Sequence, residues 1–308
     1  MRKTLVHAAA AAFLLLGKAA GAAGQWPVEE IAPGNYVHYG EIADRTPQNL
    51  GDNANMGFIV GDRCVAVVDS GGSFAVGQAL RQAIRRVTDR PVCHVVLTHV
   101  HPDHFFGAAA FLEDRPQFIA HGNYPAQLAA RARPYLNALR RDLGAAGEGS
   151  EIVKPTVLVK DELRLDLGGR VAVVRAWPVA HTDDDLTVRD EATRTLWLGD
   201  LLFVGHTPII DGSITGFLAV IGALRGIDAA RYVPGHGRGE APWPQALDAQ
   251  ERYFDTILRE TRAALRARKT LQQATDEVGL REAGRWQLFD LFHRRNVTTA
   301  YTELEWED

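Results

Sequence analysis

The run Thr98-His99-Val100-His101-Pro102-Asp103-His104 places three imidazoles and a carboxylate directly after the apolar stretch Val95-Val96-Leu97. Side chains alternate along an extended chain, so His99 and His101 leave a strand end on the same side and can chelate one ion. Pro102 lacks the N–H that would continue a ladder, and it ends the strand there. Asp103 and His104 then open a helix predicted over residues 105–112, where they can reach a second ion beside the first. Neutral imidazoles and carboxylates suit Zn²⁺, and also Fe and Mn.

Three more metal-capable residues share one context. His181 trails the apolar segment 171–179, Asp200 follows 195–199, and His236 follows 232–235. Residues presented at one sheet edge and followed by loops converge on a single cleft. Asp69 closes the run Val65-Ala66-Val67-Val68 and precedes Ser70-Gly71-Gly72. It reads either as an acceptor that holds a ligand imidazole from behind or as a strand-end turn former. His206, six residues after Asp200, is placed to line the cleft. His94 reads as a structural residue inside a strand, and His38 and His121 as polar loop or surface residues. Of Asp183, Asp184 and Asp185, at least two read as a solvated turn.

These residues need elements to position them. Short β-rich segments occur at 34–39, 56–60 and 65–69, with Gly61-Asp62 as a hairpin signal between the last two. Apolar residues then repeat at helical spacing over 74–87 (Val76, Leu80, Ala83, Ile84, Val87), and a strand follows over 92–98. Strand, helix, strand is a βαβ unit whose strands are parallel neighbours, which places Asp69 near His99 at the carboxyl edge of the sheet. Residues 105–145 read as helices and loops, with a glycine-rich turn at 144–150. A second β-rich half begins at Val157 and runs through 163–167, 171–177, 186–189, 195–198 and 232–233. From Trp243 on, the chain reads as helical, with Leu247, Phe254, Ile257, Leu258 and Leu265 in one stripe. Trp286, Phe289 and Phe292 form the core face of a later helix. Two β-rich halves with helices predict two sheets face to face and helices outside.

With 308 residues and 46% hydrophobic content, the chain can bury a large core. Arg2 and Lys3, the apolar stretch to Leu16 and the small residues 19–24 read as a secretory signal cleaved near Ala22 or Ala23. That stretch is too short for a comfortable membrane span. Three domains are expected: signal peptide 1–23, catalytic domain 25–240, and a helical extension 241–308 packed on it. Losing Arg2, Lys3 and Lys18 takes the formal charge from −4 to −7, since residues 1–23 hold no acid. An acidic mature chain with no later membrane span points to a periplasmic or secreted protein acting on a small molecule, not on nucleic acid. Cys64 and Cys93 each sit near the start of a predicted strand. They are either a disulfide formed in an oxidising compartment or two separate buried thiols.

The motifs Asp69-Ser70-Gly71, His99 to His104, His181-Thr182, Gly199-Asp200 and Gly235-His236 together resemble the metallo-β-lactamase superfamily over residues 30–240. That resemblance implies an αββα sandwich with the site at one edge. It implies that His99, His101 and His181 bind one ion, that Asp103, His104 and His236 bind the second, and that Asp200 bridges both. A carboxylate at Asp200 resembles the glyoxalase II and lactonase type of site more than a dedicated β-lactamase. The segments 199–206, 211–213 and 294–305 look like the quinoprotein relay system zinc metallohydrolases, exported proteins associated with periplasmic oxidation pathways.

The chemistry expected of such a site is hydrolysis. A hydroxide shared by two ions, with a pKa lowered to ~7, attacks an ester, thioester or lactone-like carbonyl. Asp103 orients the water and relays a proton, Asp200 bridges, and β-lactamase activity is incidental. Two other readings share the fold. One is an iron-dependent persulfide oxygenase using only His99, His181 and Asp200. The other is a non-enzymatic, metal-loaded accessory protein of a periplasmic oxidation pathway.

Overall fold

The computed structural model describes residues 26–307, so the segment read as an export signal lies outside the described residues. Seven strands form the first sheet in chain order: β1 (Glu29–Ala32), β2 (Asn35–His38), β3 (Met56–Val60), β4 (Val65–Val68), β5 (Val92–Val96), β6 (Gln117–His121) and β7 (Val157–Val159). Pairing is antiparallel from β1 to β4 and parallel from β4 to β7. The second sheet runs β12 (Arg231–Val233), β11 (Thr195–Trp197), β10 (Leu186–Asp190), β9 (Val171–Ala176), β8 (Glu162–Asp166), with only β11 and β12 parallel.

The period-two alternation of strand side chains sorts the aliphatic residues into layers. Ala66, Val68, Val96 and Ile119 face Leu165, Ala172, Val174, Leu186, Val188 and Trp197 across the gap between the sheets. Their neighbours Val65, Val67, Val95, Phe118 and Ala120 face outward onto α1 (Phe74–Val87) and the segment after α2 (Pro102–Phe105). Leu139 and Leu143 of α3 (Tyr124–Leu143) close that layer. On the other side, Leu196 and Leu198 face α4 (Ile214–Leu224), α5 (Asp248–Arg266), α6 (Leu271–Glu277) and α7 (Phe289–Leu304). Three buried clusters therefore separate four layers, the expected αββα sandwich. The C-terminal helices are built into the outermost cluster: Phe254, Ile257, Val297 and Leu304 share it with Phe217 and Ile221.

Several sequence expectations are corrected. The stretch 105–145 contains a strand, β6, which lies inside the first sheet. Its run Phe118-Ile119-Ala120-His121 is buried on both faces, so it shows no alternation to mark it as a strand. Val157 opens β7, the edge of the first sheet, rather than the second half; a three-residue strand shows its partner only once it is paired. The helix predicted over 105–112 is a single α turn, α2, followed by a 3₁₀ segment, Phe106–Asp114. There Gly107 and Gly77 of α1 lie so close that a Cβ on either would strike the other's backbone or that of Ser70. His38 and His121 are buried rather than superficial. His38 lies between Pro27 O and the Asp52 carboxylate, with Trp26 stacked on its ring, so local partners offset its polarity. Cys64 and Cys93, at the starts of the parallel neighbours β4 and β5, are joined as a disulfide.

Candidate metal centre

Every predicted ligand lies at the carboxyl end of a strand or just beyond it. β5 delivers His99, His101 and the α2 residues Asp103 and His104; the β9–β10 connection delivers His181; the turns after β11 and β12 deliver Asp200 and His236. Among the described residues these seven form two groups of converging ligand atoms, each able to hold a metal ion: His99, His101, His181 and Asp200, and Asp103, His104 and His236. Asp200 lies between the groups. Its Oδ2 is 3.4 Å from His181 Nε2, 3.7 Å from His99 Nε2 and 3.3 Å from His236 Nε2, and its Oδ1 is 3.1 Å from His104 Nε2. Asp103 Oδ2 is 3.4 Å from His236 Nε2. Gly235 is required beside Asp200, because a Cβ there would collide with Oδ1.

Each imidazole is held by its outward nitrogen. His104 Nδ1 donates to Asp69 Oδ2 (2.8 Å), His181 Nδ1 to Ile209 O (2.8 Å), and His236 Nδ1 to Asn53 O (2.7 Å). His101 Nε2 donates to Asp211 Oδ2 (3.2 Å). Thr98 Oγ1 gives its hydrogen to Asp69 and so accepts from His99 Nδ1 (3.0 Å). With the outer nitrogens protonated, the inner ones present bare lone pairs. His101 Nδ1 lies 3.1 Å from His99 Nε2 and 2.8 Å from His181 Nε2, three lone pairs crowded with no hydrogen to share. Among the described residues, His104 Nε2 and Asp200 Oδ1 are buried and without a hydrogen-bond partner, a costly arrangement unless a cation meets them.

The electrostatics make the same demand. Burial pushes His181 down to about 3 and, with help from His104, holds His99 well below its ordinary range. Burial opposes charge on His104 and His236 too, but Asp200 and Asp103 outweigh it, with Asp69 adding to the effect on His104, and both are raised. Burial likewise opposes charge on Asp200, yet His236, His104 and His99 keep it well below the usual carboxylate range. Buried carboxylates thus call for positive charge, and they draw His104 and His236 toward their protonated forms. A divalent cation would supply it while leaving every imidazole neutral, the form that ligates.

Asp69 is the acceptor behind His104, and it also receives the Thr98 backbone N–H. It adopts the left-handed conformation (φ 57°), a strained backbone position for a residue with a Cβ. Asp184 and Asp185 are buried rather than solvated; both share hydrogen bonds with the Thr182 hydroxyl, and Asp184 also takes the Val100 N–H between two candidate ligands. His206 is buried against the His236 ring, 4.8 Å between centroids, and against Phe203 and Phe292; it is not among the converging ligands. Asp211, whose hold on His101 the sequence reading did not find, lies 110 residues away along the chain, and no local spacing links the two.

Residues 50–275 match the sequence profile of the Metallo-beta-lactamase superfamily. The chain belongs to the metallo-β-lactamase superfamily. Solved structures of similar fold include a metallo-beta-lactamase family protein from Thermus thermophilus (20% identity, 89% of this chain and 93% of that one, TM-score 0.64). A metallo-beta-lactamase from Pontibacter korlensis is also similar (17% identity, 74% and 98%, TM-score 0.60). So is the stereoselective inverting sec-alkylsulfatase Pisa1 from Pseudomonas sp. (17% identity, 90% of this chain, TM-score 0.67), of which the chain spans only 50%. No curated protein matches the sequence. As a superfamily member the chain has a hydrolase-like fold and a His/Asp cluster suited to a divalent metal. Among its described residues, no helix is long and apolar enough to cross a membrane.

Proposed function

We propose that the chain is an exported, binuclear zinc hydrolase acting on an ester, thioester or lactone-like carbonyl. The observation that carries this reading is the set of five imidazoles, each anchored by its outer nitrogen, turned with two carboxylates on one buried point. His99, His101 and His181 would hold one ion, and Asp103, His104 and His236 the other. Asp200, within 3.7 Å of a ligand nitrogen in both groups, would serve the two. An all N/O donor set built on three histidines favours zinc among the metals it accepts. When bound, two such ions supply Lewis acidity toward a carbonyl oxygen and lower the pKa of water toward ~7.

The chain's own residues set the direction of attack. Five of the seven ligand side chains are essentially inaccessible, whereas His101 is 13% and Asp103 20% exposed, so a substrate must approach over these two. Burial raises the Asp103 carboxyl, but His104 and His236 pull it below its ordinary value, so it is ionised at neutral pH. Its Oδ2 therefore accepts a hydrogen bond from the attacking water and orients it, and can pass a proton to the departing group. Asp200 stays ionised and fixes the spacing of the two ligand groups. The Cys64–Cys93 disulfide supports an oxidising compartment and hence export.

Elemental analysis of the purified mature protein, followed by thioester, lactone, β-lactam and persulfide substrates on the same preparation, tests the proposal. Two zinc ions per chain and hydrolysis that His101→Ala lowers at least ~100-fold are expected. Less than one transition metal per chain, or unchanged hydrolysis in the variant, would sink it; a single iron with oxygen uptake on persulfides would replace it with the oxygenase.

A further inference from the structure

A second charged group adjoins the ligands on their open side. Asp211, which holds His101, also takes Arg131 of α3 through Oδ2 (3.3 Å) and Arg295 of α7 through Oδ1. The two helices come from opposite outer layers of the sandwich, so the arginines meet across its seam, beside the most exposed ligands. Each guanidinium carries five N–H donors. Arg131 uses donors on Gln127 and Asp211; Arg295 makes one hydrogen bond among the described residues, to Asp211.

One carboxylate, already shared with an imidazole, thus faces two fixed positive charges. Anchoring Asp211 would need only one arginine, buried against it. Instead the two side chains remain 30% and 52% exposed, with donors left over. Tyr135, one turn beyond Arg131 on the same face of α3, is part-buried there with its hydroxyl still protonated, since burial and Asp211 push it well above its ordinary range.

We propose that Arg131 and Arg295 form a subsite for an oxyanion carried by the substrate a few bonds from the scissile carbonyl. The planar fork of each guanidinium matches a carboxylate or a phosphoryl group, and charge-assisted hydrogen bonds of this kind are the strong ones. The proposal rests on the metallohydrolase reading and narrows its substrates to acids. Asp211 has a double role in it: it orients His101 and sets the spacing of the two arginines.

Calorimetric titration of the metal-loaded protein with glutarate and with glutaramate isolates this subsite, because both probes offer one carboxylate to the metals and only glutarate offers a second. Glutarate is expected to bind about tenfold tighter or more, the worth of roughly one charge-assisted contact. In R131Q/R295Q that preference should vanish while glutaramate affinity stays. Because the double variant can loosen Asp211, R295Q alone, which leaves Arg131 on the carboxylate, should keep full metal content and lose about threefold or more of the preference. 4-Phosphonobutyrate in place of glutarate decides which oxyanion fits better. Equal binding of glutarate and glutaramate by the wild type, or an undiminished preference in both variants, would overturn the subsite. A metal content below one per chain would overturn the hydrolase reading instead.

Discussion

At the scale of single residues, the centre depends on where hydrogens are placed. Thr182 has one hydroxyl hydrogen, yet its Oγ1 lies 2.6 Å from Asp184 Oδ1 and 2.7 Å from Asp185 Oδ1. One carboxyl must therefore be protonated and donate. Burial makes Asp185 the better proton holder, raising it to about 8, while Asp184 rises to about 6. The unfolded chain releases these protons near the ordinary 3.8 and the folded chain keeps them, so stability falls as pH rises from about 4 to about 8. Asp185→Asn, which mimics the protonated acid, should flatten that fall. Urea midpoints of both proteins between about pH 5 and 9 check this; a constant difference between them would refute it. The seven candidate ligands that converge in the fold were legible in the sequence because metal chelation needs particular side chains at particular strand ends. The residues behind them were less so: Asp211 and the Asp184–Asp185 pair differ from ordinary turn acids only through what tertiary packing sets against them.

At the scale of elements, β5, which leads into four of the seven candidate ligands, is fastened at both ends. Its carboxyl end runs into the centre, and its opposite end is tied to that of β4 by Cys64–Cys93, 29 residues apart. A loop of that length implies a stabilisation of about 3–4 kcal/mol from restricting the unfolded chain. Cys64→Ser with Cys93→Ser should lower the urea unfolding free energy by about that amount while leaving metal content intact, read from denaturation and elemental analysis. The helix α1, the hairpin β3–β4 and the parallel pair β4–β5 follow from local patterns, since apolar spacing and a Gly-Asp turn are short-range signals. β6 and β7 do not, because β6 is buried on both faces and β7 is only three residues long, so neither has a pattern of its own and each is defined only by its partners.

For the whole molecule, the proposed metal centre would couple its occupancy to the stability of the fold. Seven ligands from four separate connections converge in a buried space, and without cations their lone pairs and carboxylates face each other. Binding to the folded state alone adds about 4 kcal/mol for an ion present at roughly a thousand times its Kd. Chelation should therefore lower the thermal midpoint by roughly 8 °C or more, restored by adding back zinc; calorimetry with and without chelator reads it directly. The sequence by itself determined the candidate metal-ligating side chains, their attachment to strand ends and the two-sheet architecture, because residue type and period-two alternation are local properties of the chain. Only the tertiary structure decided which nitrogen of each imidazole faces inward, that Asp211 holds His101 from behind, and that arginines from opposite outer layers meet beside His101. Those features depend on acceptors and charges brought together from distant parts of the chain, and no spacing along it records them.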